Sequence, residues 1–247
     1  MRIFITGSSD GLGSLAAKSL IKRGHNVTLH ARNAQRAEDA SKACPGADGV
    51  LIADLSSTQA TKSLADDLNA KGPWDAIIHN AGMMRIPSSS TGPEGLPTLF
   101  ATNTLAPYIL TCLVQPPPKN LVFLSSALHN SGDATLRDIK AASYSDSKLH
   151  NTMLAFWFAK QPAFQKTIVS SLDPGWVKTK MGGAGAGDDI GAAVENYVAL
   201  AEGTLGGSGK HWYHSKERSF HRGAADERAQ QKLVDELQGI SGVNPPK

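Results

Sequence analysis

Cysteine is nearly missing from this chain: Cys44 and Cys112 are the only two in 247 residues. Two isolated thiols cannot make the disulfide framework of a small secreted domain, and both read as reduced. Long apolar runs are missing too, since no stretch reaches the roughly 18 residues needed to span a bilayer. "RIFIT" begins directly after Met1, so no signal peptide is expected. Charge of one sign is scarce: 25 Lys and Arg against 22 Asp and Glu leave a formal +3. That is too little to argue for nucleic acid or an anionic membrane as partner. With 40% apolar and 19% charged residues, the expectation is a globular cytoplasmic protein with ample material for a core.

Short apolar runs alternate with longer amphipathic stretches. "RIFIT", "NVTLHA", "GVLIAD", "WDAIIHN", "NLVFLSS" and "TIVSSLDPG" read as strands, and Leu12–Arg23, Thr58–Ala70 and Tyr144–Lys160 have helical spacing. Regular strand–helix alternation predicts one α/β domain, doubly wound, with a mostly parallel sheet flanked by helices on both faces. "QPPPKN", residues 115 to 120, must end the helix before it. "KMGGAGAGDD", from residue 180, carries too many glycines for a rigid element. It lies just past the sixth strand, where ligands bind in this architecture, and is read as a short lid over about 180–190, or else an idle loop. The segment 207–247 is expected at the periphery, with a charged helix over Ala224–Leu237.

"TGSSDGLG", residues 6 to 13, follows the first strand and opens a helix. Glycines there allow a tight turn and let a pyrophosphate approach the backbone at the helix N-terminus. Gly11, Gly13 and Ala16 satisfy G-x-G-x-x-G/A, yet Gly7 already stands at the strand end, so the loop is longer than the usual dinucleotide fingerprint. After the second strand comes "HARN", with Arg32 and no carboxylate. An Arg there accommodates the 2′-phosphate of NADP, although a solvated surface Arg is the plainer alternative. Asp10, inside the glycine loop, places negative charge near the same position and argues the other way.

Further along, Asp54-Leu55 follows the third strand, Asn80-Ala81-Gly82 the fourth, and Asn103 stands in "FATNTLAPY". "NLVFLSS", Tyr144-x-x-x-Lys148 and "DPGWVKT" complete the series. In this order, each at the matching strand end, these motifs make the chain similar to the short-chain dehydrogenase/reductase family over residues 1 to about 200. The resemblance implies a Rossmann domain binding NADP(H) in preference to NAD(H), through Gly7, Ser9, Asp10, Gly11, Leu12, Gly13 and Arg32. Asp54 and Leu55 would sit by the adenine. Asn80, Ala81, Gly82, Tyr144, Lys148, Pro174, Gly175, Val177 and Thr179 would line the rest.

The catalytic set it implies is Asn103, Ser126, Tyr144 and Lys148. Tyr144 would exchange a proton with the substrate oxygen while hydride passes between cofactor and carbonyl carbon. Lys148, one helical turn away, is expected to favour the ionised phenol, lower its pKa and bind the nicotinamide ribose. Ser126 is expected to hold the substrate oxygen, with Ser125 as competitor because strand alternation keeps the two from sharing the task. Asn103 would anchor a water relaying protons from Lys148, or else cap or bend its helix.

Eighteen positions separate Ser126 from Tyr144. The extra residues, "LHNSGDATLRDIKAA", and His129 resemble the retinol-dehydrogenase and carbonyl-reductase subgroup. His129 reads as a packing or surface histidine, or as part of a substrate pocket with Met83, Trp176 and Met181, which would suit an apolar substrate. His211, His214 and His221 lie among basic residues, and no metal is expected there. A homodimer through the helices bearing Asn103 and Tyr144, with "LAFWFAK" at the contact, is favoured over a monomer. An NADP(H)-sensing or scaffold protein is the alternative function, since fold does not prove activity. An epimerase is a third, disfavoured by the short region after residue 190.

Overall fold

Parallel strands covered on both faces need apolar side chains on both, and β1 (Arg2–Ile5) has Ile3, Phe4 and Ile5 fully buried. The same runs of Val, Ile, Leu and Phe build β2 (Asn26–Ala31), β3 (Val50–Ile52), β4 (Ala76–His79), β5 (Asn120–Leu124) and β6 (Ile168–Leu172). The computed structural model describes residues 1–247. Its sheet has the order β3-β2-β1-β4-β5-β6, followed by β7 (Lys210–Tyr213) and β8 (Lys216–Glu217). All neighbours are parallel except the last pair, β7 and β8. The six strands are those expected from the sequence.

The seventh and eighth were not anticipated. Their hairpin turns through His214 (φ 46°) and Ser215 (φ 58°), the two residues between paired Tyr213 and Lys216. Tight turns of this kind ordinarily advertise themselves with Asn-Gly or Asp-Gly, and His-Ser gives no such signal. Asn196 compensates by accepting from both the backbone N–H and the hydroxyl of Ser215.

Helices α1 (Gly11–Lys22), α2 (Ala34–Ala43) and α7 (Ile190–Glu202) cover one face of the sheet. The other face carries α3 (Thr58–Lys71), α6 (Tyr144–Phe158) and a helix in three parts. That helix starts as α4 (Thr98–Phe100), passes through a π turn over Ala101–Leu105, and continues as α5 (Ala106–Leu113). It ends two residues short of the prolines at 116–118, as expected.

Helix α8 (Glu227–Ser241) lies over α6. Its Leu233, Val234 and Leu237, one helical face, are at most 1% exposed and join the same core as Phe156, Trp157 and Phe158. The segment expected at the periphery therefore supplies two strands of the sheet and a share of the core. The aromatics of "LAFWFAK", offered above for a homodimer contact, are covered by this chain itself. No helix is long and apolar enough to cross a membrane.

Strand order reverses between β1 and β4, and the carboxyl ends of these two strands open a crevice there.

Candidate active site

The glycine loop occupies that crevice, and its shape is set from three sides. Gly7 has φ +63°, and a Cβ there would stand 2.8 Å from the Ala81 backbone; one on Gly13 would meet Asn80 at 2.5 Å. Only glycine lets these segments approach so closely. Asn80 Nδ2 donates to the carbonyls of Thr6 (2.8 Å) and Gly7 (3.1 Å), while its Oδ1 accepts from the Tyr197 hydroxyl (2.8 Å). The Asn80 side chain thus fastens the loop to β4. From β2, His30 Nδ1 accepts from Gly7 N at 2.9 Å, which places the ring proton on Nε2, facing Ala53 O at 3.0 Å. Burial holds this imidazole neutral by pushing its pKa down to about 4.

Asp10 caps α1, accepting from Gly11 N at 2.7 Å. Its carboxylate also meets Lys180 Nζ at 2.7 Å and Arg36 at 3.2 Å. The Lys180 hydrogen bond is the main cause holding the Asp10 carboxyl below its ordinary range. Two cations therefore face the Asp10 carboxylate.

Tyr144 is the first residue of α6, fixed there by a capping box. Ser143 Oγ accepts from Asp146 N (3.2 Å) and Asp146 Oδ2 accepts from Ser143 N (2.8 Å). Lys148 follows one turn on, 4% exposed, with Nζ donating to Leu124 O at 3.0 Å and lying 5.4 Å from the Tyr144 ring centroid. Burial lowers its pKa to about 8, against an opposing pull from Asp173. The expected depression of the Tyr144 pKa is not found. Burial raises that phenol to about 12, the neighbouring Ser126 hydroxyl works the other way, and Lys148 is not among the causes. An ammonium facing the ring and bonded to a carbonyl does not offset desolvation of the hydroxyl.

The two serines diverge as strand alternation requires. Ser125, 2% exposed, donates from Oγ to Lys148 O at 3.0 Å and accepts from Thr152 at 2.9 Å, a packing role although Ser125 also lines the cavity. Ser126 begins a 3-10 turn over Ala127–Ser131, its Oγ accepting from Leu128 N at 3.3 Å, and lies close enough to Tyr144 to influence the phenol. Asn103 lies in the π turn, fully buried. Its Oδ1 accepts from Met83 N (2.8 Å), and its Nδ2 donates to Met83 O (2.8 Å) and Ser147 Oγ (3.0 Å). Its side chain ties the segment after β4 to α6.

These parts surround a cavity of about 590 Å³. Gly7, Ser9, Asp10, Gly11, Leu12, Gly13, Arg32, Asp54 and Leu55 line one half, and Asn80, Ala81, Gly82, Tyr144, Lys148, Pro174 and Thr179 the other. Gly175 and Val177 stand behind the wall, Val177 being 4% exposed. Asn103 and Ser126 sit beside the cavity without lining it. His30, Arg36, Thr102, Lys180 and Tyr197 line it and were not singled out in the sequence. Arg36 and Lys180 follow no motif, and only the fold brings them to Asp10.

Of the expected substrate border, Met83 and Met181 line the cavity. Met181 Sδ accepts from the Tyr144 hydroxyl at 3.9 Å. Trp176 is 60% exposed, with Nε1 donating to Gly182 O at 2.9 Å. His129 is 1% exposed and lies behind Ser126. His211 is buried against Ser171 and His129, His214 stacks on Tyr213, and His221 caps a turn at Gly223.

A mostly parallel sheet covered on both faces, with a glycine loop at its switch point, defines a doubly wound α/β protein, and the Tyr–Lys pair shares the cavity with that loop. The model of the short chain dehydrogenase family matches residues 1–188, and the chain belongs to that family. An uncharacterised oxidoreductase of Emericella nidulans is 44% identical over 100% of this chain and 99% of its own. Retinol dehydrogenase 14 of Mus musculus is 27% identical over 98% of this chain and 86% of its own. Among solved structures, an uncharacterised protein of Mycobacterium paratuberculosis covers 100% of this chain and 95% of its own (TM-score 0.80, 22% identity). Carbonyl reductase Sniffer of D. melanogaster covers 89% and 98% (TM-score 0.67, 22% identity). A short chain dehydrogenase of Escherichia coli CFT073 complexed with NADPH covers 87% and 96% (TM-score 0.67, 23% identity).

Proposed function

We propose that the protein is an NADP(H)-dependent oxidoreductase that interconverts a ketone or aldehyde and the corresponding alcohol. The observation that carries this reading is Tyr144 and Lys148, one turn apart on α6, at the wall of a cavity whose other end is the glycine cradle. The cradle suits a dinucleotide, since Gly7 and Gly13 leave no room for a Cβ and Gly11–Gly13 begin α1, a helix end that favours anionic phosphate. Arg32, Arg36 and Lys180 all line the cavity against the single carboxylate of Asp10, and the excess of cations suits the extra 2′-phosphate of NADP. The NADPH complex of the E. coli relative is in keeping with this choice.

Bound there, the nicotinamide would exchange hydride with the substrate carbon. The protein's part is electrostatic and protic. Tyr144, kept protonated by burial, donates its proton to the carbonyl oxygen in reduction. Ser126, beside it, holds that oxygen. Lys148, charged below about pH 8, would hold the cofactor by donating to a ribose hydroxyl. Asn103 acts by fixing the Met83 backbone against α6.

Met83 and Met181 favour an apolar substrate. The loop bearing Lys180 and Met181 meets Asp10 on the cofactor side and Tyr144 on the substrate side. Both contacts are partly exposed and weak, as a lid must be if it is to open.

The test is Tyr144→Phe, assayed with NADPH and a panel of aromatic aldehydes and ketones. Turnover should fall at least ~10²-fold with NADPH affinity nearly unchanged. Turnover equal to that of the wild type would refute the assignment.

A further inference from the structure

His129 has no part in the chemistry described, yet its environment is specific. It sits in the 3-10 turn that Ser126 opens, three residues on, and is 1% exposed. Its Nδ1 lies 2.6 Å from the carbonyl oxygen of Ser126, which also accepts from the His129 backbone N–H at 3.0 Å. Its other nitrogen, Nε2, accepts from the backbone N–H of His221 at 3.1 Å, across 92 positions of sequence. A carbonyl oxygen cannot donate and a backbone N–H cannot accept, so the two partners leave one arrangement: proton on Nδ1, lone pair on Nε2. The ring is held in place by His211, centroid to centroid 4.8 Å.

We propose that His129 is a positioning residue for Ser126, held as its Nδ1–H tautomer by the C-terminal segment at His221. The inference rests on Ser126 being the group that holds the substrate oxygen. Two donors on one carbonyl fix the peptide plane after Ser126, and with it the direction of the Ser126 Cα–Cβ bond. Ser126 is extended (φ −167°, ψ 156°) and follows the last residue of β5 by two positions. Beyond the strand its hydroxyl accepts from Leu128 N at 3.3 Å, inside the turn whose first carbonyl the imidazole holds. An oxygen-holding hydroxyl displaced by about 1 Å costs on the order of 10²-fold in rate. The link also gives the C-terminal segment a function in catalysis, because it presents the N–H that selects the tautomer.

The test is a cycle of His129→Phe, Ser126→Ala and the double variant, with His129→Asn as the conservative replacement. NADPH binding is followed by protein fluorescence, and turnover on an aromatic aldehyde by loss of NADPH absorbance. His129→Phe should lower kcat ~10-fold or more while NADPH affinity stays within about twofold of wild type. The double variant should be no slower than Ser126→Ala, because a residue acting through Ser126 has nothing left to position. His129→Asn keeps an N–H on a short arm toward the Ser126 carbonyl and should retain most of the wild-type kcat. It decides the matter if the Phe variant does not fold. Additive losses in the double variant, or equal losses in the Asn and Phe variants, overturn the proposal. If Ser126→Ala alone turns over like the wild type, it is the assignment of Ser126 that has failed, and the positioning role falls with it.

Discussion

Lys148→Met should make the protein more stable while destroying its activity. Lys148 is 4% exposed, and burial lowers its pKa from an ordinary 10.5 to about 8. At about 1.4 kcal/mol for each pH unit, holding it charged in the fold at neutral pH costs roughly 3 kcal/mol. Met fills nearly the same volume without a charge. The substitution removes one hydrogen bond, Nζ to Leu124 O, worth about 1.5 kcal/mol at the low end for a charged donor. Leu124 O keeps its second donor, Asn151 Nδ2 at 2.9 Å, so no buried carbonyl is orphaned. The net gain is about 1.5 kcal/mol, or about 3–6 °C in Tm for a domain of this size. The pH dependence identifies the cause. A lysine with a lowered folded pKa carries its full penalty below about pH 8 and sheds it as pH rises toward 10.5. The advantage of the Met variant should therefore be largest at pH 7 and shrink between about 8 and 10.5. Tyr144, raised from 10.0 to about 12, acts with the opposite sign and only above pH 10, where its stabilisation is progressively lost. Circular-dichroism melts at pH 7, 8, 9 and 10 (about one unit apart, the scale of a single titration) separate the two. A Tm at pH 7 equal to or below wild type, or a gain that does not change with pH, refutes the reasoning. Turnover in the same variant should be lost.

Arg32→Ala should raise the Kd for NADPH about 10-fold and leave that for NADH unchanged. This is the low end for a charge-assisted contact, because Arg32 is exposed and Arg36 and Lys180 remain. Parallel fluorescence titrations read the ratio, and equal effects on both cofactors would remove Arg32 as the phosphate reader. Leu237→Ala opens a cavity between α8 and α6 and should cost about 2–5 kcal/mol in a urea melt. A loss under about 1 kcal/mol would mean that α8 does not seal this core.

What could be read without coordinates was what short-range pattern encodes. Ile3–Phe4–Ile5 and the other apolar runs announce a sheet buried on both faces, because parallel strands with helices on both sides have no wet face. Gly7, Gly11 and Gly13 stand where a chain must turn between strand and helix, and Tyr144 and Lys148 share a face because four residues make about one turn. Contacts between distant segments have no such signature. His214–Ser215 hides a hairpin because the turn conformation is imposed by Asn196 and not by glycine. Asp10 looked like an obstacle to phosphate until the fold brought Arg36 and Lys180 to it across 26 and 170 positions. Ser125 and Ser126 are indistinguishable by type, and the partners presented by α6 separate them. The direction of the Tyr144 shift was misjudged for the same reason: helical spacing gives the distance to Lys148, whereas desolvation depends on everything else packed around the phenol. The sequence by itself determined the layers, the cradle and the Tyr–Lys pair, since each is a local period or turn. Tertiary structure alone decided which charges are paired, which serine packs on α6 and which histidine holds the turn after the other, because burial and partnership are properties of residues far apart in the chain.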